Sequence, residues 1–103
     1  MSSEKRTSVP NSLNEHWMPF SSNKEFKENP RLIVEAKGVY LKNHQGQTQI
    51  DASSGLFCNP LGHGREEIIE AITNQLKTLD YCQPFQQGFG GSFELATRIS
   101  KHT

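Results

Sequence analysis

Five aliphatic residues, Ile68, Ile69, Ile72, Leu76 and Leu79, recur at spacings of three and four after Gly64. That period puts them on one stripe of an α-helix, so the chain carries an amphipathic helix whose apolar face needs cover. Glu66 and Glu67 in its first turn and Lys77 near its end complement the helix dipole. Upstream the period changes. "RLIVEAKG" and "VYLKN" are rich in β-branched and aromatic residues, and Val39 and Leu41 alternate with Tyr40 and Lys42. "NHQG", residues 43–46, signals a turn with Gly46 free to adopt a left-handed conformation, and "QTQIDAS" reads as the returning strand. The pattern predicts a hairpin over 39–53. "DYCQPFQQGFGG" is a loop broken by Pro84 and three glycines, after which Ser92 is expected to cap a last helix with Phe93, Ala96 and Ile99 on one face. Strands followed by helices, with no internal repeat, make an α+β arrangement.

The 103 residues suffice for one small domain near the size where burial becomes marginal. With 33% hydrophobic residues and a mean hydropathy of -0.68, the expected core is thin. Lys plus Arg equals Asp plus Glu at 11 each, so overall charge argues against nucleic acid and against an anionic membrane as partners. Cys58 and Cys82 stand far apart with no C-x-x-C spacing, which fits a reducing compartment. "MSSEKRTSVPNSLNE" has no apolar signal region, and no apolar run approaches the ~20 residues of a membrane span. A soluble cytoplasmic protein is expected. Residues 1–15 read as a disordered arm, and 16–103 as the structured segment. "HWMPF" breaks that polar composition: Trp17, Met18 and Phe20 each offer about 1.5–3 kcal/mol on burial, so the segment is expected to dock, although Pro19 bars a helix through it.

The stretch "DASSGLFCNPLGHGREEIIEAI", residues 51–72, gathers the candidate chemistry. His63, between two glycines before a helix, is either a titrating group or an architectural residue at a tight turn. No carboxylate or cysteine stands at ligand spacing from it, which favours architecture. The histidines and cysteines have no C-x-x-C or H-x-x-x-H spacing, so no metal is expected. "GFGGS" before a helix has the form of an anion-binding turn but lacks the Walker residues, and a loop feeding a capped helix explains it better. Glu66 and Glu67, adjacent on a helix, point about 100° apart and suit its N-terminus better than paired acid catalysis. Lys77, on the polar face, lacks the desolvation a Schiff-base amine needs. Phe57, Cys58, Phe85 and Phe89 sit on glycine-flanked loops, where they either wall a pocket or subunit contact or pack over the small core.

From His16 to Lys101 the chain resembles the N-terminal part of a class III pyridoxal-phosphate-dependent aminotransferase. The resemblance is carried by "HWMPF", "NPRLIVEAKGVYLKNHQGQTQIDASSGLFCNPLGHGREEIIEAITNQLKTLDY", "PFQQG" and "FELATRI", in that order. Within the family it is most similar to the omega-amino acid (β-alanine):pyruvate branch. The resemblance implies an α/β fold-type I transferase, of which residues 16–103 form the N-terminal small-domain part: a β-ribbon followed by two helices. It also implies a homodimer with active sites at the subunit interface. Leu56 and Phe57 then fall where the family walls its substrate pocket, Phe20 matches an aromatic near that pocket, and Phe85 lies in a loop that approaches the neighbouring subunit's site. Gly62 and His63 match a Gly-His landmark before the helix. Relatives commonly have Gly-His-Pro where this chain has Gly88-Phe89-Gly90, and glycine in place of proline would loosen that loop.

The family's phosphate-binding turn, cofactor-stacking aromatic, pyridine-facing Asp and Schiff-base lysine are expected downstream of Thr103. The resemblance therefore implies a partial sequence with no catalytic or cofactor-binding residue of its own. Its parent would move an amino group from an amine or ω-amino acid to a keto acid such as pyruvate on pyridoxal 5'-phosphate. The alternatives are a stand-alone, non-catalytic interaction module, or a segment of a GABA or ornithine aminotransferase or an aminomutase.

Overall fold

A computed structural model describes residues 9–103. The order is α1 (Asn23–Glu28), β1 (Ile33–Lys37), β2 (Tyr40–Asn43), β3 (Thr48–Ile50), α2 (Ser54–Phe57), α3 (Glu66–Thr78) and α4 (Gly90–Ser100). The chain divides into two compact units between Glu66 and Glu67. The expected arm falls partly on residues 1–8, outside the described ones; residues 9–15 hold no helix or strand. No helix among the described residues is long and apolar enough to cross a membrane.

The first unit is built on an antiparallel sheet in the order β1-β2-β3. The predicted hairpin forms, with Tyr40 opposite Ile50 and Lys42 opposite Thr48. Asn43 organises its turn, its Oδ1 accepting from the Gln45 and Gln47 backbone N–H groups at 3.1 and 2.9 Å, and Gly46 takes φ 84°. β1 adds a third strand through Gly38, which has φ 57°. The register slips between Ile33 and Glu35, marking a bulge at Val34. Beyond it Glu35 and Lys42 face one another across the strands with a 3.6 Å ion pair.

α1 carries none of the apolar periodicity that marks α3. It follows a loop pinned by Asn23, the one buried polar residue among those described. The Asn23 amide accepts from the Met18 backbone N–H at 2.7 Å and donates to the Met18 and Ser21 carbonyls at 3.0 and 3.2 Å. In the second unit α3 spans the predicted residues. α4 starts earlier than expected: Phe89 is its N-cap, with no side-chain cap bond, and Ser92 lies inside the first turn. Gly90 occupies the first helical position.

The expected thin core is corrected by the exposures: no apolar side chain among the described residues is buried. Ile68, Ile69, Ile72, Leu76 and Leu79, the stripe of α3, are all exposed. Within the first unit neither α1 nor α2 packs on the sheet, and within the second α3 and α4 do not pack on one another. Of "HWMPF", only Met18 is partly covered by the described residues. Trp17 is 77% exposed, touched by Lys27 Nζ 6.0 Å from its ring centre, and Phe20 stands fully in solvent.

Burial of apolar area is the dominant favourable term of folding, against about 1–2 kcal/mol of backbone entropy per ordered residue. The isolated chain should therefore show no cooperative calorimetric melt, and a sharp two-state transition in or above the usual ~45–65 °C range would contradict this. A second expectation concerns Gly90. Position N1 needs no backbone donor and suits proline, and Phe89, at φ -106° and ψ 122°, already has the extended conformation that precedes proline. Gly90→Pro should stabilise the start of α4 by about 0.4–1 kcal/mol, read as slower amide exchange in its first turn.

Candidate functional site

Residues Ser54–Phe57 form one hydrogen-bonded helical turn of the wrong hand. Ser54, Gly55, Leu56 and Phe57 have φ of 52°, 59°, 60° and 67° in succession, and the Phe57 N–H reaches the Ser53 carbonyl at 2.9 Å. Left-handed backbone costs roughly 1–2 kcal/mol for each residue that carries a Cβ, so Ser54, Leu56 and Phe57 together store about 3–6 kcal/mol. Such conformations persist only where surrounding contacts over-determine them, and they concentrate at functional sites. This turn holds Leu56 and Phe57 out from the backbone, Phe57 at 85% exposure.

The contacts that hold the turn converge on Asp51. Its own N–H bonds the Val39 carbonyl at 2.8 Å, tying it to the sheet. Its Oδ1 accepts from the Gly55 N–H at 3.0 Å, inside the left-handed turn, and more weakly from the Ser53 hydroxyl at 3.4 Å. Its Oδ2 lies 2.8 Å from His63 Nε2. The Asn59 amide nitrogen donates to His63 Nδ1 at 2.8 Å, which leaves the ring hydrogen on Nε2, donated to Asp51. The Asn59 N–H returns to the turn through the Ser54 carbonyl at 2.8 Å.

His63 is also fixed by its backbone, which exchanges two hydrogen bonds with Gly38 at 2.8 and 2.9 Å. The flanking glycines permit this approach. A Cβ on Gly62, at φ 90°, would stand 3.2 Å from the Gly38 carbonyl oxygen. Gly64, at φ 69°, presents its carbonyl to Lys37 Nζ at 2.9 Å.

The absence of a partner carboxylate for His63, read from spacing alone, is thus corrected: Asp51 reaches it from 12 residues upstream. Both ring nitrogens are engaged, so the ring has no free position for a substrate or metal, and the architectural reading of the Gly-His-Gly stretch agrees with its geometry. Asp51 and Asn59 were not singled out from the sequence. Their signal is a carboxylate at the end of a predicted strand and an amide in the following turn, recognisable only once the hairpin returns them to His63.

Among the candidate pocket residues, Leu56 and Phe57 share the left-handed turn. Phe20 lies on the separate Asn23-pinned loop, itself left-handed at φ 50°, beside a groove of about 410 Å³ lined also by Phe26, Glu25 and Arg31. Phe85 belongs to the second unit, exposed and followed by the left-handed Gln86 at φ 61°.

The Gly55 N–H, and then the His63 ring, hold the Asp51 carboxyl below the ordinary carboxylate range. A carboxyl whose folded pKa is depressed contributes its full stabilisation above the unfolded value of ~3.9 and loses it as pH falls through the lower folded value. Protection of the Gly55 and Phe57 amides in the folded protein should therefore hold at neutral pH and collapse only below about pH 3.9. Protection that does not change across that window would contradict the assignment.

No family model matches the chain. It is 48% identical over 88 residues to the β-alanine–pyruvate aminotransferase of Pseudomonas aeruginosa, covering 85% of this chain and 20% of that protein. It is 46% identical over 91 residues to the omega-amino acid–pyruvate aminotransferase of Pseudomonas putida, covering 88% of this chain and 20% of that protein. Its structure superposes with a TM-score of 0.78 on an amine transaminase from an uncultivated Pseudomonas species, solved with pyridoxal phosphate as the internal aldimine. That match has 30% identity and covers 85% of this chain and 20% of the other. The chain spans about a fifth of the length of the curated relatives it matches. The ordered landmarks and these matches agree, and the chain belongs to the class III aminotransferases.

Proposed function

We propose that the chain is one segment of a pyridoxal-phosphate-dependent aminotransferase that moves an amino group from an ω-amino acid or amine to pyruvate. In this reading Leu56 and Phe57, with Phe20, wall the amine side of its substrate pocket, and Phe85 lies in a loop that approaches the neighbouring subunit's site, in a homodimer with active sites at the subunit interface. The observation that carries the pocket assignment is the left-handed Ser54–Phe57 turn. Backbone strain is spent there on leaving two apolar side chains largely exposed among the described residues. The substrate classes are those in the names of the β-alanine–pyruvate and omega-amino acid–pyruvate relatives.

The described residues do not fit the cofactor's covalent site. A Schiff-base lysine is taken out of water, and none of Lys24, Lys27, Lys37, Lys42, Lys77 and Lys101 is buried. The cofactor's lysine and phosphate ligands belong to the rest of the enzyme. This chain's part is to bind and orient the donor: an apolar wall removes about 0.8 kcal/mol of unfavourable hydration per methylene it covers, and limits the bulk that fits.

Phe57→Ala in the full-length enzyme tests the wall. The ratio of kcat/KM for a bulky aryl-alkyl amine to that for a small ω-amino acid should rise by about tenfold or more, the range one apolar contact supplies. An unchanged ratio would remove Phe57 from the pocket.

A further inference from the structure

We propose that Asp51, His63 and Asn59 are positioning residues for the amine pocket: their polarised hydrogen-bond chain, rather than side-chain packing, fixes where Leu56 and Phe57 stand and so which donors fit. The inference rests on the pocket-wall reading above and adds the device that sets the wall. Packing is unavailable for this task, since Leu56 and Phe57 are both largely exposed. The turn is strained and would relax toward ordinary backbone without restraint. The restraint runs without a break from the sheet through Asp51 to His63 and Asn59, and back to the turn at Gly55 and Ser54. The Asp51 side chain keeps only 8% of its surface exposed, so water competes poorly for these bonds.

The chain has a direction. Asn59 donates to His63, His63 donates to Asp51, and Asp51 accepts at both oxygens. Asp51→Ala removes both accepting oxygens and breaks it. Asp51→Asn alone keeps it with the polarity reversed: the amide at 51 donates to Nε2 while its oxygen keeps the Gly55 bond, and Nδ1–H donates to Asn59 Oδ1 once that amide turns over. The double variant Asp51→Asn/Asn59→Asp likewise keeps every bond with the polarity reversed: the amide at 51 donates to Nε2, and Nδ1–H donates to the carboxylate at 59.

The test measures kcat and KM of the full-length holoenzyme for a bulky aryl-alkyl amine and a small ω-amino acid, with KM for pyruvate as the internal reference. Asp51→Ala should shift the bulky-to-small kcat/KM ratio in the same direction as Phe57→Ala, by about tenfold and mainly through the donor KM. The two changes combined should give less than the product of their separate effects, because both act through one side chain. Asp51→Asn/Asn59→Asp should keep the ratio within about twofold of the parent. Asn59→Ala, which leaves the Asp51–Gly55 bond intact, should shift the ratio the same way but less, and serves if Asp51→Ala does not fold. If Phe57→Ala alters donor preference while Asp51→Ala and Asn59→Ala lower kcat equally for all donors, or lower only thermal stability, the positioning role is overturned and the wall stands. Should Phe57→Ala leave the ratio unchanged, the wall itself falls, and the positioning role with it.

Discussion

The 2.8 Å hydrogen bond between His63 Nε2 and Asp51 Oδ2 links the side chains at the two ends of the excursion that carries the left-handed turn. Asp51 is held by the sheet through Val39, and His63 by the adjacent Gly38. Between them the backbone must reverse out of β3, wind left-handed through Ser54–Phe57 and come back to start α3. An isolated left-handed turn would unwind, since each of its three Cβ-bearing residues prefers the opposite hand. A carboxylate with two accepting oxygens is well suited to the junction. One oxygen takes the turn's own N–H while the other takes the ring, and the Asn59 amide fixes which ring nitrogen carries the hydrogen.

The same logic recurs around the other candidate pocket residues with different chemistry. Phe20 is presented by a loop closed on the Asn23 amide, and it too has a left-handed backbone. Phe85 precedes a left-handed Gln86. Each of these residues thus stands at or next to backbone that ordinary packing would not produce. Polar groups hold the backbone and apolar groups are left outward, the reverse of a hydrophobic core. That inversion explains how a segment with no buried apolar side chain among its described residues still has defined loops. Hydrogen bonds fix local geometry, while the apolar stripe of α3 waits for cover that the described residues do not provide.

The helix over 66–78 and the hairpin around Asn43–Gly46 were legible because their signals are local: a 3.6-residue period and a turn residue next to the strands it joins. The family was legible for a related reason, its landmarks lying in order along one stretch. α1 escaped because its six residues carry no apolar period and depend on a side chain before them. The start of α4 was misplaced because a serine within the first turn looks like a cap, yet here the chain turns helical three residues earlier.

The sequence by itself determined the secondary-structure periods, the need for glycine on either side of His63, and membership of the aminotransferases, because each is written in neighbouring residues. Only the tertiary structure decided what His63 does. Its partner carboxylate is 12 positions away, and a side chain's role in a hydrogen-bond chain depends on which atoms meet after the hairpin closes. The hand of the Ser54–Phe57 turn was likewise a tertiary decision. Local preference favours the right-handed form, and it is the bonds to Asp51 and Asn59, formed across the fold, that hold the left-handed one.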